Sequence, residues 1–127
     1  MNIFGIGTDI VSIDRIKKSL KNKNFLKRVF NEKEILKCEK IKNCFNCFAK
    51  RFAAKEAFSK AIGTGISNGI NFNEIVVINK KSGKPCIYII GDTKQILHKK
   101  FKGKKTKISL SLSDEKKYAV AFVTVSL

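Results

Sequence analysis

Two carboxylates and a lysine stand where their chemistry conflicts with their surroundings. The stronger case lies in residues 45–65, which read FNCFAKRFAAKEAFSKAIGTG. Alanine and lysine are frequent, proline is absent, and no glycine occurs before Gly63, so the stretch predicts a long helix. At 100° per residue, Phe45, Phe48, Ala49 and Phe52 share roughly 100° of arc. Glu56 projects about 20° from Phe45, inside that apolar stripe. An ionised carboxylate left alone there would cost several kcal/mol, so it must protonate or find a partner. Lys60 follows one turn later, and Gly63-Thr64-Gly65 ends the helix. Glu and Lys at i,i+4 also form ordinary surface pairs, contributing about 0.2–0.5 kcal/mol, and the spacing alone fits either role. The second carboxylate is Asp9, set between Thr8 and Ile10 near the end of an apolar run. It has the position of a turn or cap residue. Ser12, however, already supplies an N-cap for the next helix, which leaves Asp9 without an evident structural task.

The elements that must position these groups follow from local pattern. Residues 2–11 are β-branched and aromatic, with Gly5 and Gly7 permitting close backbone approach, and predict a buried strand. A helix follows Ser12, with Ile13, Ile16 and Leu20 on one face. Phe25, Leu26, Val29 and Phe30 predict a short helix. Asn31-Glu-Lys-Glu34 has capping-box spacing and predicts another, with Ile35, Leu36 and Cys38 buried. Asn43 begins the central helix. The pattern then changes to strands at residues 72–79 and 86–90, joined by a turn holding the only proline. Asp92 is expected to cap a helix through Phe101, with His98 as a surface or packing residue. Residues 107–113 alternate, with Ile108, Leu110 and Leu112 on one face and Ser109, Ser111 and Ser113 on the other. After a turn at residues 114–117, the last strand covers 118–125. Helices first and antiparallel strands later predict an α+β fold, a long central helix packed on an antiparallel sheet, as one domain over residues 1–127.

Composition narrows the class. At 43% hydrophobic with ten Phe, the chain carries enough apolar mass to exclude disorder. No apolar run reaches 18 residues, and the first residues lack a basic segment before an apolar one, so a membrane span and a signal peptide are not expected and the expected location is cytoplasmic. The net charge of +17 predicts an acidic partner, although a coding bias toward solvated Lys explains part of it. Only Arg15, Arg28 and Arg51 are Arg, and their forked guanidinium groups are the better candidates for specific contacts with phosphate or carboxylate. Cys44 and Cys47 have CxxC spacing, but a zinc site needs a second pair and has only Cys86 and His98. Reduced thiols near the start of the central helix are expected instead.

If Asp9 and Glu56 converge, their repulsion needs a cation, and oxygen donors select Mg²⁺ or Ca²⁺. Lys60, the Gly63-Thr64-Gly65 backbone and a nearby Arg would complete a diphosphate site. A nucleic-acid-binding module also suits the charge, but the aromatic residues sit at core spacing and no recognition motif occurs. Another Mg²⁺-dependent phosphotransferase or hydrolase could use the same acids.

Four segments together resemble a known family. They are Gly5-Ile-Gly-Thr-Asp9-Ile-Val, then Arg51-Phe-Ala-Ala-Lys-Glu56-Ala-Phe-Ser-Lys60-Ala-Ile-Gly-Thr-Gly65-Ile, then the Gly-Lys-Pro within residues 79–85, then Ser111-Leu-Ser-Asp114 with Tyr118-Ala-Val-Ala-Phe-Val. In order and spacing the chain resembles the holo-[acyl-carrier-protein] synthases, small bacterial 4′-phosphopantetheinyl transferases. The resemblance implies transfer of 4′-phosphopantetheine from coenzyme A to a serine of an acidic apo acyl carrier protein, releasing adenosine 3′,5′-bisphosphate. It implies that Asp9 and Glu56 hold Mg²⁺, and that Glu56 or a water on the metal takes the serine proton. The resemblance further implies that Lys60 stabilises or protonates the leaving phosphate, and that Lys55, Lys60, Gly63, Thr64 and Gly65 contact coenzyme A. It likewise implies that Arg15, Phe25 and Arg28 receive the carrier. A homotrimer with sites between subunits is implied, with neither nucleic acid nor membrane as partner. One position departs from the pattern: many members carry Ser-x-Ser-His near the last turn, and this chain has Asp114 at the His position.

Overall fold

A computed structural model describes residues 2–63 and 69–127. The chain opens with β1 (Ile3–Ser12), followed by α1 (Ile13–Ser19), α2 (Lys23–Val29), α3 (Glu32–Glu39) and the long α4 (Cys44–Ile62). A 3₁₀ turn (Phe72–Glu74) leads to β2 (Ile75–Asn79) and β3 (Pro85–Ile89), then α5 (Gly91–Lys100), β4 (Lys107–Asp114) and β5 (Tyr118–Ser126). The fold is α+β, with α4 at its centre. The strands form two antiparallel sheets, one ordered β1-β5-β4 and a separate β2-β3 ribbon.

Helix α4 packs along β1 and β5 and also meets α1, α3, β2 and β4. Its stripe is therefore wider than helical projection from Phe45 suggests. Phe48, Ala49, Ala53, Ala54, Ala57, Phe58, Ala61 and Ile62 are all buried, whereas Phe45 is exposed and lies under Lys17. The approach of β1 to α4 depends on residue size. A Cβ on Gly5 would collide with the Ala61 carbonyl, and one on Gly7 with the Ala57 carbonyl. Glycines at period two on the strand thus meet alanines at period four on the helix.

Several expectations change. β1 is an edge strand rather than a buried one: Gly7 is buried against α4, but Ile6 and Ile10 on the opposite face are 61% and 64% exposed. Leu36 is exposed, while Ile35 and Cys38 pack inward. The capping box at Asn31 and Glu34 forms as expected. Asp92 does not cap α5. The Glu74 carboxylate does so from outside, accepting from the Asp92 and Thr93 backbone N–H groups at 3.0 and 3.1 Å and from the Thr93 hydroxyl at 2.8 Å. Burial pushes the Glu74 carboxyl up, but the hydrogen bonds from Asn71, Thr93 and Asp92 outweigh it and hold the group below the usual carboxylate range. The cysteines also differ from expectation. Cys38 and Cys47 form a disulfide joining α3 to α4, while Cys44 and Cys86 are free. The partner was set by the docking of two helices, which the CxxC spacing does not encode. Among the described residues, no helix is long and apolar enough to cross a membrane.

Candidate active site

The β1–α4 seam brings the two carboxylates to one place. Gly5, Gly7 and Asp9 share the helix-facing side of β1 by the alternation of a strand. On α4, Glu56 and Lys60 immediately precede Ala57 and Ala61, whose carbonyls form the contact line, so the two side chains border it. The Lys60 ammonium donates to Asp9 Oδ1 at 3.2 Å and to the Thr8 carbonyl at 3.0 Å. Among the described residues Lys60 thus pairs across the seam and not with Glu56 four residues away, which answers the question left open by the i,i+4 spacing. Asp9 acquires its task here, as the acid facing that lysine.

Glu56 is half-buried. Burial raises its carboxyl above the usual range, the nearby Asp9 charge adds to that, and Lys60 works against it. Two carboxylates gathered beside one ammonium offer oxygen donors of the kind a hard divalent cation takes. Asp9 and Glu56 are the residues that fit it.

A cleft of about 350 Å³ runs from Glu56 along Phe52, Ile70 and Phe72 to Phe25 and Arg28 on α2. Of the surface residues named from sequence, Arg15 and Arg28 are exposed and Phe25 is partly buried against Phe30 and Phe52. Gly63 ends α4 in the left-handed conformation (φ 81°), and among the described residues nothing lies within 4 Å of where its Cβ would be. Thr64 and Gly65 lie outside the described residues.

Lys55 is placed otherwise than expected. Its side chain is fully buried, and its ammonium donates to Glu34 Oε1 and the Phe72 carbonyl, both at 2.8 Å, and to the Ile75 carbonyl. All three donors are used inside the fold, so none remains for a ligand. The cause is the packing: α4 is enclosed on the side where Lys55 emerges.

A second feature escaped the sequence. Beside the N-terminal half of α4 lies an open cavity of about 730 Å³ whose wall includes Lys37, Lys50, Arg51, Lys80 and Lys81. Arg51 is buried, with one guanidinium nitrogen donating to Asn79 Oδ1 at 2.9 Å and another to the Cys47 sulfur at 3.2 Å, while its Nε has no partner among the described residues. Only the choice of Arg51 as a candidate for specific contact pointed here. Lys50 is its neighbour on α4, and the other cations come from α3 and from the turn after β2.

Comparison with known proteins identifies the family. A family model for the 4′-phosphopantetheinyl transferase superfamily matches residues 5–123. A holo-[acyl-carrier-protein] synthase of Pelagibacter ubique (strain HTCC1062) is 56% identical over 123 residues, covering 97% of this chain and 96% of that protein. The crystal structure of the holo-[acyl-carrier-protein] synthase from Neisseria meningitidis matches with a TM-score of 0.86 at 38% identity, covering 98% of this chain and 99% of that one. The Bacillus anthracis synthase in complex with CoA (3′,5′-ADP) matches with a TM-score of 0.79 at 35% identity, covering 98% and 97%. The chain therefore belongs to the 4′-phosphopantetheinyl transferase superfamily, as an enzyme of the holo-[acyl-carrier-protein] synthase type.

Proposed function

We propose that this enzyme moves 4′-phosphopantetheine from coenzyme A to a serine of an acidic apo acyl carrier protein, with Mg²⁺, releasing adenosine 3′,5′-bisphosphate. The observation that carries the reading is the meeting of Asp9, Glu56 and Lys60 across the β1–α4 seam. In the reaction the serine oxygen forms a bond to the β-phosphorus of coenzyme A, and the bond from that phosphorus to the bridging oxygen breaks. Glu56 is suited to receive the serine proton, because its half-buried carboxylate stands within the influence of Asp9 and Lys60 at the seam. Lys60 is half-exposed and oriented by Asp9, so its ammonium is free to meet the negative charge that develops on the departing phosphate. Mg²⁺, held by Asp9 and Glu56, would neutralise the diphosphate and polarise the phosphorus under attack.

The substrates fit surfaces of matching chemistry. The basic cavity around Arg51 suits the phosphate-bearing nucleotide end of coenzyme A. Exposed Arg15 and Arg28, with Phe25, offer an acidic carrier both charge and an apolar contact, and the cleft from α2 leads toward Glu56. The outer face of the three-stranded sheet exposes Ile6, Ile10 and Phe122, an apolar surface for further copies of this chain. A homotrimer with active sites between subunits would cover that face.

Incubating the protein with apo carrier protein, coenzyme A and Mg²⁺, then weighing the carrier by mass spectrometry, tests the reading. A carrier heavier by one phosphopantetheine, with adenosine 3′,5′-bisphosphate in solution, is the expected result. Free phosphate with an unchanged carrier would instead indicate hydrolysis. Light scattering tests the assembly, with a mass three times that of the chain expected.

A further inference from the structure

An acid stands in the wall of the basic cavity. Asp114, the last residue of β4, is the one carboxylate among the described residues lining it, opposite Lys37, Lys50, Arg51, Lys80 and Lys81. A negative charge beside an anion site does one of two things. It repels the ligand, or it holds a cation where the ligand will meet it.

The contacts of Asp114 distinguish these. Oδ2 accepts from Asn46 Nδ2 at 2.7 Å, and Oδ1 faces the Lys50 ammonium at 3.5 Å. Asn46 also donates to the Glu115 carbonyl at 3.2 Å, which ties α4 to the turn after β4. Asn46 and Lys50 lie one turn apart on α4, so a single carboxylate meets two successive side chains of that face. The Lys50 side chain is 31% exposed and that of Asp114 29% exposed, which leaves the pair open to the cavity yet partly shielded from bulk water. A lysine has a long flexible stem, and without a partner its ammonium spreads over many rotamers. Both oxygens of Asp114 are engaged, so its charge is directed at α4 and not at the empty space.

We propose that Asp114 is a positioning residue for coenzyme A. Acting through Lys50, it fixes an ammonium in the cavity wall beside Arg51, where a phosphate of the substrate's nucleotide end is received. This rests on the cavity taking that end of coenzyme A, as proposed above. The two alternatives for the acid differ in sign. If Asp114 merely repels, its removal tightens anion binding; if it positions Lys50, its removal weakens it.

Calorimetric titration of adenosine 3′,5′-bisphosphate into the full-length wild type, Asp114→Ala, Lys50→Gln and the double variant decides the matter. Asp114→Ala is expected to bind roughly threefold more weakly, the scale of one partly exposed ion pair. The double variant is expected to bind no more weakly than Lys50→Gln alone, because the acid acts only through that lysine. Asp114→Glu, which keeps the charge, is expected to restore part of the loss. In turnover with saturating carrier protein, Asp114→Ala should raise KM for coenzyme A and leave kcat unchanged. Unchanged or tighter binding by Asp114→Ala overturns the proposal, as does a double variant whose losses multiply. A wild type that does not bind the bisphosphate overturns the assignment of the cavity itself, whatever the variants do.

Discussion

Lys55 and Lys60 stand five residues apart on α4, and each faces a carboxylate from a distant element. Lys55 and Glu34 are both 0% exposed, and the acid is fully engaged as well, accepting from the Asn31 and Val77 backbone N–H groups at 2.9 Å. Lys60 is 57% exposed and Asp9 17% exposed, and among the described residues Glu56 beside them forms no ion pair of its own. The first pair has every donor and acceptor committed. The second has unspent capacity on both the acidic and the basic side. Burial pulls the Lys55 ammonium down to about 8, with Glu34 pulling it back and Arg51 adding to the fall. The contrast teaches that charge type and helix spacing do not distinguish a structural ion pair from a reactive one. The remaining hydrogen-bonding and coordination capacity does.

The largest expected effect falls on the open set. Glu56→Gln should lower transfer by about a hundred- to ten-thousandfold, the range for removing a general base, while far-UV circular dichroism stays that of the wild type. Turnover within a few-fold of wild type would remove Glu56 from the chemistry and erase the contrast. The closed pair should respond in the opposite currency. Glu34→Gln leaves Lys55 buried without its counter-charge and should destabilise the fold by about 3–5 kcal/mol in urea denaturation. A shift under about 1 kcal/mol would mean the interior tolerates that lysine unpaired. Asp9→Asn should weaken the Mg²⁺ dependence of the rate and the rate together, read from a metal titration at fixed substrate. A titration curve that does not move would separate Asp9 from coordination.

The smallest effect is one of pH. The Glu56 carboxyl is raised in the native chain, so the native state binds more protons than the unfolded chain between the ordinary Glu range and the raised value. Its contribution to stability is fully present below that window and is lost as pH rises through it. Gln at this position cannot ionise. In Mg²⁺-free buffer the melting temperature of Glu56→Gln should therefore gain on the wild type as pH increases from about 4 to about 7. A difference that is constant with pH would show that Glu56 ionises in the native chain as it does in the unfolded one.

Much of the site was legible because it is written in short-range pattern. Glu56 stood out as a carboxylate on an apolar helical stripe, and Asp9 as an acid near the end of an apolar strand without a capping task. The alternation of Ile108, Leu110 and Leu112 and the capping box at Asn31 were legible for the same reason, since each depends on neighbours within one turn or one pleat. The burial of Lys55 is not legible, because its sequence neighbourhood, next to Glu56, gives no sign of the Glu34 carboxylate and the two carbonyls that enclose it. Glu74 was overlooked as the cap of α5 because it lies 18 residues before Asp92, in another element.

The sequence by itself determined which side chains are chemically out of place: local periodicity fixes the face on which each residue falls. Tertiary structure alone decided which of those charges were closed off and which stayed open. It joined Cys38 to Cys47, left the outer side of β1 uncovered, and gathered Lys37, Arg51 and Lys80 around one cavity. The physical reason is that a buried or half-buried polar group takes whatever partner packing brings within reach, and that partner is set by how helices and sheets dock, not by distance along the chain.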